Sequence, residues 1–401
     1  MLPSVNTIVH LEVKVELEGV NINGLAEWFR TKREELLKSV FAAVVEKAQE
    51  QWLERVREGI DELVCTACGV VHRGAEGWVR RGSRMRKVKA SSGELEFPLL
   101  QITCTDCEKT RAPCAEALGV EPRQQVTTEL KRTAIERVYE TSYHRSARTI
   151  GDCMGVRLAA STLHRYVQAS AAKVELTPDP TSQVVLADGT KVRAGERVEL
   201  EDLRMAFQVT GRSQRGQRRQ AHLRLLGIGV GLNTWPLVLR GCEQTKLVVT
   251  DAEASLEAHV RERYPNARHQ FCEWHVGHSL NYSLAGDRVA LKERKGLRRE
   301  LASILWRNAG AARKRTLYER FIEKLSFSPT SQKQLRRAAS HILFETPSTE
   351  RTTSLIERQM REVDRRVWIG VRWSIRGVRN LLLLSMARRH NPDDYERVWR
   401  T

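Results

Sequence analysis

From residue 24 to residue 60 apolar side chains recur at helical spacing, with Leu25, Trp28, Phe29, Leu36, Leu37, Val40, Phe41, Val44, Val45 and Ala48 on one stripe. That spacing predicts a long amphipathic helix. Its stripe is either an internal packing face or a seam for a second copy. Residues 78–90 and 94–103 then read as strands joined by a turn at Ser91-Ser92-Gly93, since β-branched and aromatic residues bounded by a glycine-bearing turn favour a hairpin. Residues 125–168 look helical throughout, and within them 146–167 reads as helix, glycine-bearing turn, helix. Thr177-Pro-Asp-Pro-Thr181 marks a polar linker.

Beyond the linker the period changes. Short apolar runs at 183–188, 204–210, 221–231, 246–251 and 267–272 read as strands, with a helix between the last two reaching Arg263. Residues 276–345 return to basic helices, and 352–368 predict another. Three strands followed by alternating strands and helices predict a multi-domain α/β chain with a mixed sheet and an all-helical insertion. Only about fifteen residues, 232–246, join the third strand to the fourth, near the minimum for a crossover helix. Trp235-Pro236 is the natural start for a short one, because proline is tolerated in a first helical turn.

Composition sharpens the picture. The chain of 401 residues carries 67 Lys and Arg against 49 Asp and Glu, a net charge of +18. Such an excess favours a polyanionic partner, because neutralised phosphates release condensed counterions. With 41% hydrophobic residues, disorder throughout is excluded. No apolar run is long enough to cross a membrane. Met1 to Glu18 lacks the basic-then-apolar pattern of a signal peptide, which places the protein inside a cell with no membrane partner.

Four of the eight cysteines form two CxxC pairs, Cys65/Cys68 and Cys104/Cys107, with 35 residues between them. Two such pairs present four thiolates that close tetrahedrally around Zn²⁺, so residues 61–120 read as a zinc ribbon built on the predicted hairpin. His72 and Cys114 are alternative ligands. The segment Arg80–Lys87 is basic and is either a phosphate contact or a solvated face. In the helix-turn-helix reading of 121–170, Ser161, Thr162, His164 and Arg165 are the groove-facing residues.

The acids carry the chemistry. Asp188 and Asp251 each close an apolar strand, and strand carboxyl ends are where α/β sheets place their sites. Two carboxylates there, with a third from a nearby helix, make a cage of hard oxygens for Mg²⁺ or Mn²⁺. A two-ion site can activate the attacking oxygen and stabilise the leaving one in phosphoryl transfer. Taken singly, each acid is as readily a turn former.

Four segments resemble the Mutator-like DDE transposases of bacterial insertion sequences. They are Val184-Val-Leu-Ala-Asp188-Gly-Thr190, Leu247-Val-Val-Thr-Asp251-Ala-Glu-Ala-Ser-Leu256, Pro265 to His275 with its Cys272-Glu-Trp-His275, and Thr353-Ser-Leu-Ile-Glu357-Arg-Gln-Met-Arg361 with Gly370-Val-Arg-Trp373-Ser374. The resemblance implies an RNase H-like core whose metal ligands are Asp188, Asp251 and Glu357, at separations of 63 and 106 residues, the longer gap holding the helical insertion. Glu345 and Glu350 are rival third acids without the Ser-Leu-Ile-Glu context. Cys272 and His275 become active-site support; two ligands make an incomplete zinc shell, so packing or DNA contact is the expected role, with His275 a candidate neighbour of the scissile phosphate. Arg358 and Arg361 follow Glu357 on a helix that can meet phosphate.

The implied division is 1–60 strand and helix, 61–120 zinc ribbon, 121–170 helix-turn-helix, 183–275 first part of the core, 276–350 insertion, and 351–401 the remainder with Glu357. The implied activity is binding of transposon ends, metal-dependent strand cleavage and 3′-hydroxyl transfer into target duplex. A bacterial, cytoplasmic, nucleoid-associated protein acting as a homodimer or higher on double-stranded DNA follows from the same resemblance. A non-catalytic DNA-binding relic and a structure-specific nuclease on the same fold are the rivals.

Overall fold

The computed structural model describes residues 21–118, 120, 123–195, 199–215, 218–240, 243–345, 351–368 and 373–400. The proposed strand before residue 21, Glu350, and the Gly370-Val-Arg stretch lie outside them. The chain divides into two compact units, Met1–Tyr166 and Val167–Thr401.

In the first unit, α1 (Ile22–Arg57) opens under an Asn21 cap whose side chain accepts from the Gly24 amide at 2.8 Å. At 1.5 Å per residue its 36 residues span about 54 Å. The half nearer its C-terminus buries Val45, Trp52, Leu53 and Val56, while Phe29, Val40, Phe41 and Val44 stay exposed. Then come β1 (Leu63–Val64), β2 (Val71–His72), β3 (Trp78–Ala90), β4 (Gly93–Cys104) and β5 (Thr110–Arg111). The predicted hairpin is present, β3 pairing antiparallel with β4 from Trp78↔Cys104 to Ala90↔Gly93. Gly93 turns it at φ 125°, a left-handed value that glycine adopts without a Cβ clash. The basic stretch Arg80–Lys87 lies within β3, so it is a strand face and not a loop. Gln49, fully buried on α1, donates to the Pro98 carbonyl at 2.8 Å and accepts from the Leu100 amide at 3.1 Å. It thereby satisfies backbone groups of β4 that have no strand partner there.

α2 (Pro113–Ala117) is followed by three helices, α3 (Thr128–Glu140), α4 (Tyr143–Met154) and α5 (Ala160–Ala171). Residues 125–168 are thus not helical throughout. Thr127 and Ser142 act as N-caps, accepting from the amides of Leu130 and Arg145, and Gly155 ends α4 at φ 67°. Leu130, Ile135, Val138, Ile150, Val156 and Leu163, on and between these helices, are fully buried.

The second unit holds a five-stranded sheet in the order β10-β9-β6-β7-β8. Its strands are β6 (Val184–Ala194), β7 (Glu199–Arg215), β8 (Arg218–Val230), β9 (Leu247–Thr250) and β10 (Arg268–Phe271), with α6 (Trp235–Val238) before β9 and α7 (Ala254–Arg263) before β10. β6, β9 and β10 run parallel, and β7 and β8 extend the sheet antiparallel. The crossover before β9 is a single turn. It fits because Gly227 and Gly229 on β8 lie directly beneath it: a Cβ on Gly227 would stand 2.8 Å from Val238 Cα, and one on Gly229 would overlap Thr234. Trp235, Val238 and Leu239 seal that face against Val185, Ala187, Leu226 and Val248.

A helical block follows, α8 (Glu273–Gly286), α9 (Leu291–Leu305), α10 (Ala311–Lys324) and α11 (Pro329–Ala339), then α12 (Ser354–Val367), α13 (Ile375–His390) and α14 (Pro392–Arg397). The block has its own core of Leu280, Leu284, Leu301, Tyr318, Phe321 and Leu335. Buried Arg351 fastens it to the segment before α12, donating to the carbonyls of Leu305 and Phe344 at 3.1 Å each. Among the described residues no helix is long and apolar enough to cross a membrane.

Candidate active site and cysteine cluster

Asp188 does not end its strand. β6 continues six residues further because its antiparallel pairing with β7 runs on to Ala194↔Glu199. What ends near Asp188 is the parallel partner: β6 pairs with β9 up to Ala187↔Thr250, so Asp188 and Asp251 stand one step beyond, side by side on neighbouring strands. The burial pattern has the same cause. Residues 185–188 are buried on both faces, whereas beyond Asp188 exposure begins to alternate.

Two helices bring the remaining groups. β10 ends at Phe271, and the Cys272 amide donates to the Thr250 carbonyl at 2.6 Å, which sets the first turn of α8, with His275, at the carboxyl edge of the parallel strands. The Cys272 sulfur accepts from the Thr353 amide at 3.3 Å, and the Thr353 hydroxyl lies 3.5 Å from that sulfur and 3.4 Å from His275 Nδ1. Thr353 precedes α12, so these contacts fix the turn that carries Glu357. Cys272 is fully buried, which closes DNA contact to it. Donor atoms of Asp188, His275 and Glu357 all lie within 4.8 Å of one another. Asp251 is outside that trio but close enough for its charge to act on both Asp188 and His275.

Burial pushes the Asp188 carboxyl up to about 6, with the Asp251 charge acting in the same direction and His275, Thr353 and the Gly189 amide opposing. Burial likewise raises Asp251, helped by Glu253. For His275 burial opposes the charged form, but a hydrogen bond with Cys272 and the charges of Cys272, Asp188 and Asp251 outweigh it and carry the imidazole up to about 9. Glu357 Oε1 is buried without a hydrogen-bond partner. A cluster that leaves carboxylates buried and one oxygen orphaned is short of positive charge, and a divalent cation is the species its donor set fits.

Among the residues not singled out from sequence, Arg204 is the most informative. It is buried, lies over the Trp235 ring at 5.2 Å, and reaches Asp202 at 3.3 Å and Glu253 at 3.4 Å. No sequence pattern marked it, since its role depends on β7 and α6 meeting. Thr353 was within a quoted motif without an assigned part. The rival Glu345 pairs with Arg268 at 3.3 Å, at the opening residue of β10 and hence at the opposite sheet edge from Asp188. Arg358 and Arg361 are exposed on α12.

In the first unit, the sulfurs of Cys65, Cys68, Cys104 and Cys107 lie within 4.8 Å of one another, Cys65–Cys107 at 3.7 Å and Cys68–Cys104 at 3.8 Å. A tetrahedron with about 2.3 Å metal–sulfur bonds has edges of about 3.8 Å, so the spacing fits a four-coordinate thiophilic ion. Amide hydrogen bonds from Ala67 and Cys68 pull the Cys65 thiol down to about 6. His72 is buried with Nε2 3.2 Å from the Cys104 sulfur and 3.7 Å from Asp106, beside the four sulfurs and not among them. Cys114 is buried among Trp78, Leu100 and Ile102, away from the cluster, and burial pushes its thiol up to about 12. On α5, Ser161, His164 and Arg165 are exposed and Thr162 is half-buried.

Fold and site together define a mixed α/β protein that converges carboxylates and an imidazole at the carboxyl edge of parallel strands. Residues 233–373 match the model of the Mutator family of transposases, a stretch that includes Asp251, Cys272, His275 and Glu357 and starts after Asp188. That match supports a Mutator-like transposase, and a transposase role implies DNA binding. No curated protein matches the chain.

Proposed function

We propose that the chain is a DDE transposase with an RNase H-like core, in which Asp188, Asp251 and Glu357 hold Mg²⁺ or Mn²⁺. The observation that carries this reading is the meeting of Asp188, Glu357 and His275 donor atoms within 4.8 Å, beside Asp251, with Glu357 Oε1 buried and unpartnered. A bound ion pair would supply Lewis-acid charge for in-line displacement at a phosphodiester, first by water at the element's end and then by the freed 3′-hydroxyl on target duplex. The protein's own contribution is placement. Strands β6 and β9 set the two aspartates side by side, Cys272 and Thr353 fix the start of α12, and Glu357 enters from its first turn. Exposed Arg358 and Arg361 follow on the same helix, available to phosphate.

The four cysteines of the first unit form a zinc ribbon and the α3–α5 trio a helix-turn-helix, the two recognising element ends. Joining two ends requires at least two copies, and the exposed apolar side chains Phe29, Val40, Phe41 and Val44 of α1 support a homodimer. The test is transposition of a marked element bearing its own terminal sequences in a bacterial host. Wild type is expected to mobilise the marker and Glu357→Gln to reduce it by at least a hundredfold at equal protein level. Equal mobilisation by both removes Glu357 from the site.

A further inference from the structure

The first unit contains a cleft of about 400 Å³ that no sequence motif marked. Its cationic lining is Lys89 from β3, Arg123 from the segment before α3, Lys131 from α3, Arg157 from the segment before α5 and Arg165 from within α5, with the Tyr166 ring among them. Among the described lining residues there is no carboxylate. The walls are held by backbone bonds, the Lys89 amide donating to the Gln125 carbonyl at 2.8 Å and the Thr127 amide to the Lys89 carbonyl at 2.9 Å. Lys89 Nζ donates to the Arg157 carbonyl at 2.9 Å and lies 3.4 Å from Glu94, so its charge is partly answered. Lys131 Nζ stands 6.0 Å from the centre of the Tyr166 ring. Arg123, Arg157 and Arg165 are exposed.

Folding this many cations around one concavity raises their mutual repulsion, and a polyanion relieves it. We propose that the cleft seats the phosphate backbone of duplex DNA and so fixes the register of α5, leaving exposed Ser161 and His164 to face bases. Phosphate contacts position a protein on the duplex without reading sequence. The proposal therefore moves Arg165 from base reading to backbone holding. It rests on the DNA-binding reading given above.

The experiment measures fluorescence anisotropy of the full-length zinc-loaded protein on two duplexes of equal length, one with the element's terminal sequence and one scrambled, across a NaCl series. Neutralising two cleft cations in Arg157→Gln/Arg165→Gln is expected to weaken both duplexes by the same factor. It is also expected to flatten the slope of log affinity against log salt by about 2, since each phosphate contact contributes about 0.9. The control Arg315→Gln/Arg320→Gln makes the same charge change on α10 and is expected to leave the slope within about half a unit of wild type, well under one phosphate contact. Arg157→Lys/Arg165→Lys is expected to restore it. An unchanged slope in the cleft variant, an equal change in the control, or a loss confined to the terminal duplex overturns the proposal. Wild type binding neither duplex would instead sink the DNA-binding reading, and the proposal with it.

Discussion

Among the candidate site residues, Asp188 sits in an environment that opposes its own charge. It is 3% exposed, and burial has raised its carboxyl to about 6, above an ordinary aspartate value near 4. A folded-state value above the unfolded one means that the group's favourable contribution is complete below about pH 4 and is lost as pH rises through about 6. Metal-free Asp188→Asn is therefore expected to exceed wild type in stability at pH 8 by about 1–3 kcal/mol, the gap closing toward pH 4. Urea denaturation at both pH values measures it. Mn²⁺ should then stabilise wild type and leave the variant unmoved; a variant no more stable than wild type at pH 8 would contradict the electrostatic account. The aspartates were legible in sequence because each follows an apolar run, and Glu357 because of the residues around it. His275 was expected beside the site from its motif, whereas Arg204 and Thr353 were not, because each is defined by contacts between elements far apart in the chain.

Among elements, the one-turn α6 explains how so short a link reaches the β9 edge. Gly227 and Gly229 remove two side chains from β8 and let the turn lie on the strand itself. Gly229→Ala would drive a Cβ into Thr234 and is expected to cost about 1–3 kcal/mol in urea denaturation, as overpacking of a tight contact does. An unchanged midpoint would mean that α6 lifts freely from the sheet. Sequence marked the shortness of this link and Trp235-Pro236 as its helix start, but not the glycine pair beneath, since an isolated glycine in a strand pattern does not say what approaches it. The hairpin β3–β4 was legible from two strand-like runs flanking the Ser91-Ser92-Gly93 turn. The break at Gly155 was legible as the glycine-bearing turn of 146–167, whereas the one before Ser142 was not taken into the 125–168 helix, although a serine before a helix is a start signal. In the same unit the four-sulfur cluster ties β4 to the turns around Cys65 and Cys107. Cys104→Ser is expected to lower bound zinc from one ion per chain to none and to expose β3–β4 to protease, because such ions supply folding energy directly. Full zinc retention would remove Cys104 from the ligand set.

At the scale of the molecule, the two units carry different kinds of charge problem. The first gathers cations around a cleft and four cysteine sulfurs in a small knot, and the second gathers carboxylates and an imidazole where β6, α8 and α12 meet. The net charge of +18 indicated a polyanion but not where it docks, since surface position is a property of the fold. In the proposed function the acid cluster cuts and joins DNA. The most direct measurement is strand cleavage and joining by purified protein, using the element's labelled terminal duplex, a target duplex and Mg²⁺, with Asp188→Ala alongside. Cleavage and joined product from wild type, both metal-dependent and both lost in the variant, are the expected result. Cleavage that survives Asp188→Ala, or DNA binding by wild type with neither cleavage nor joining, would contradict it.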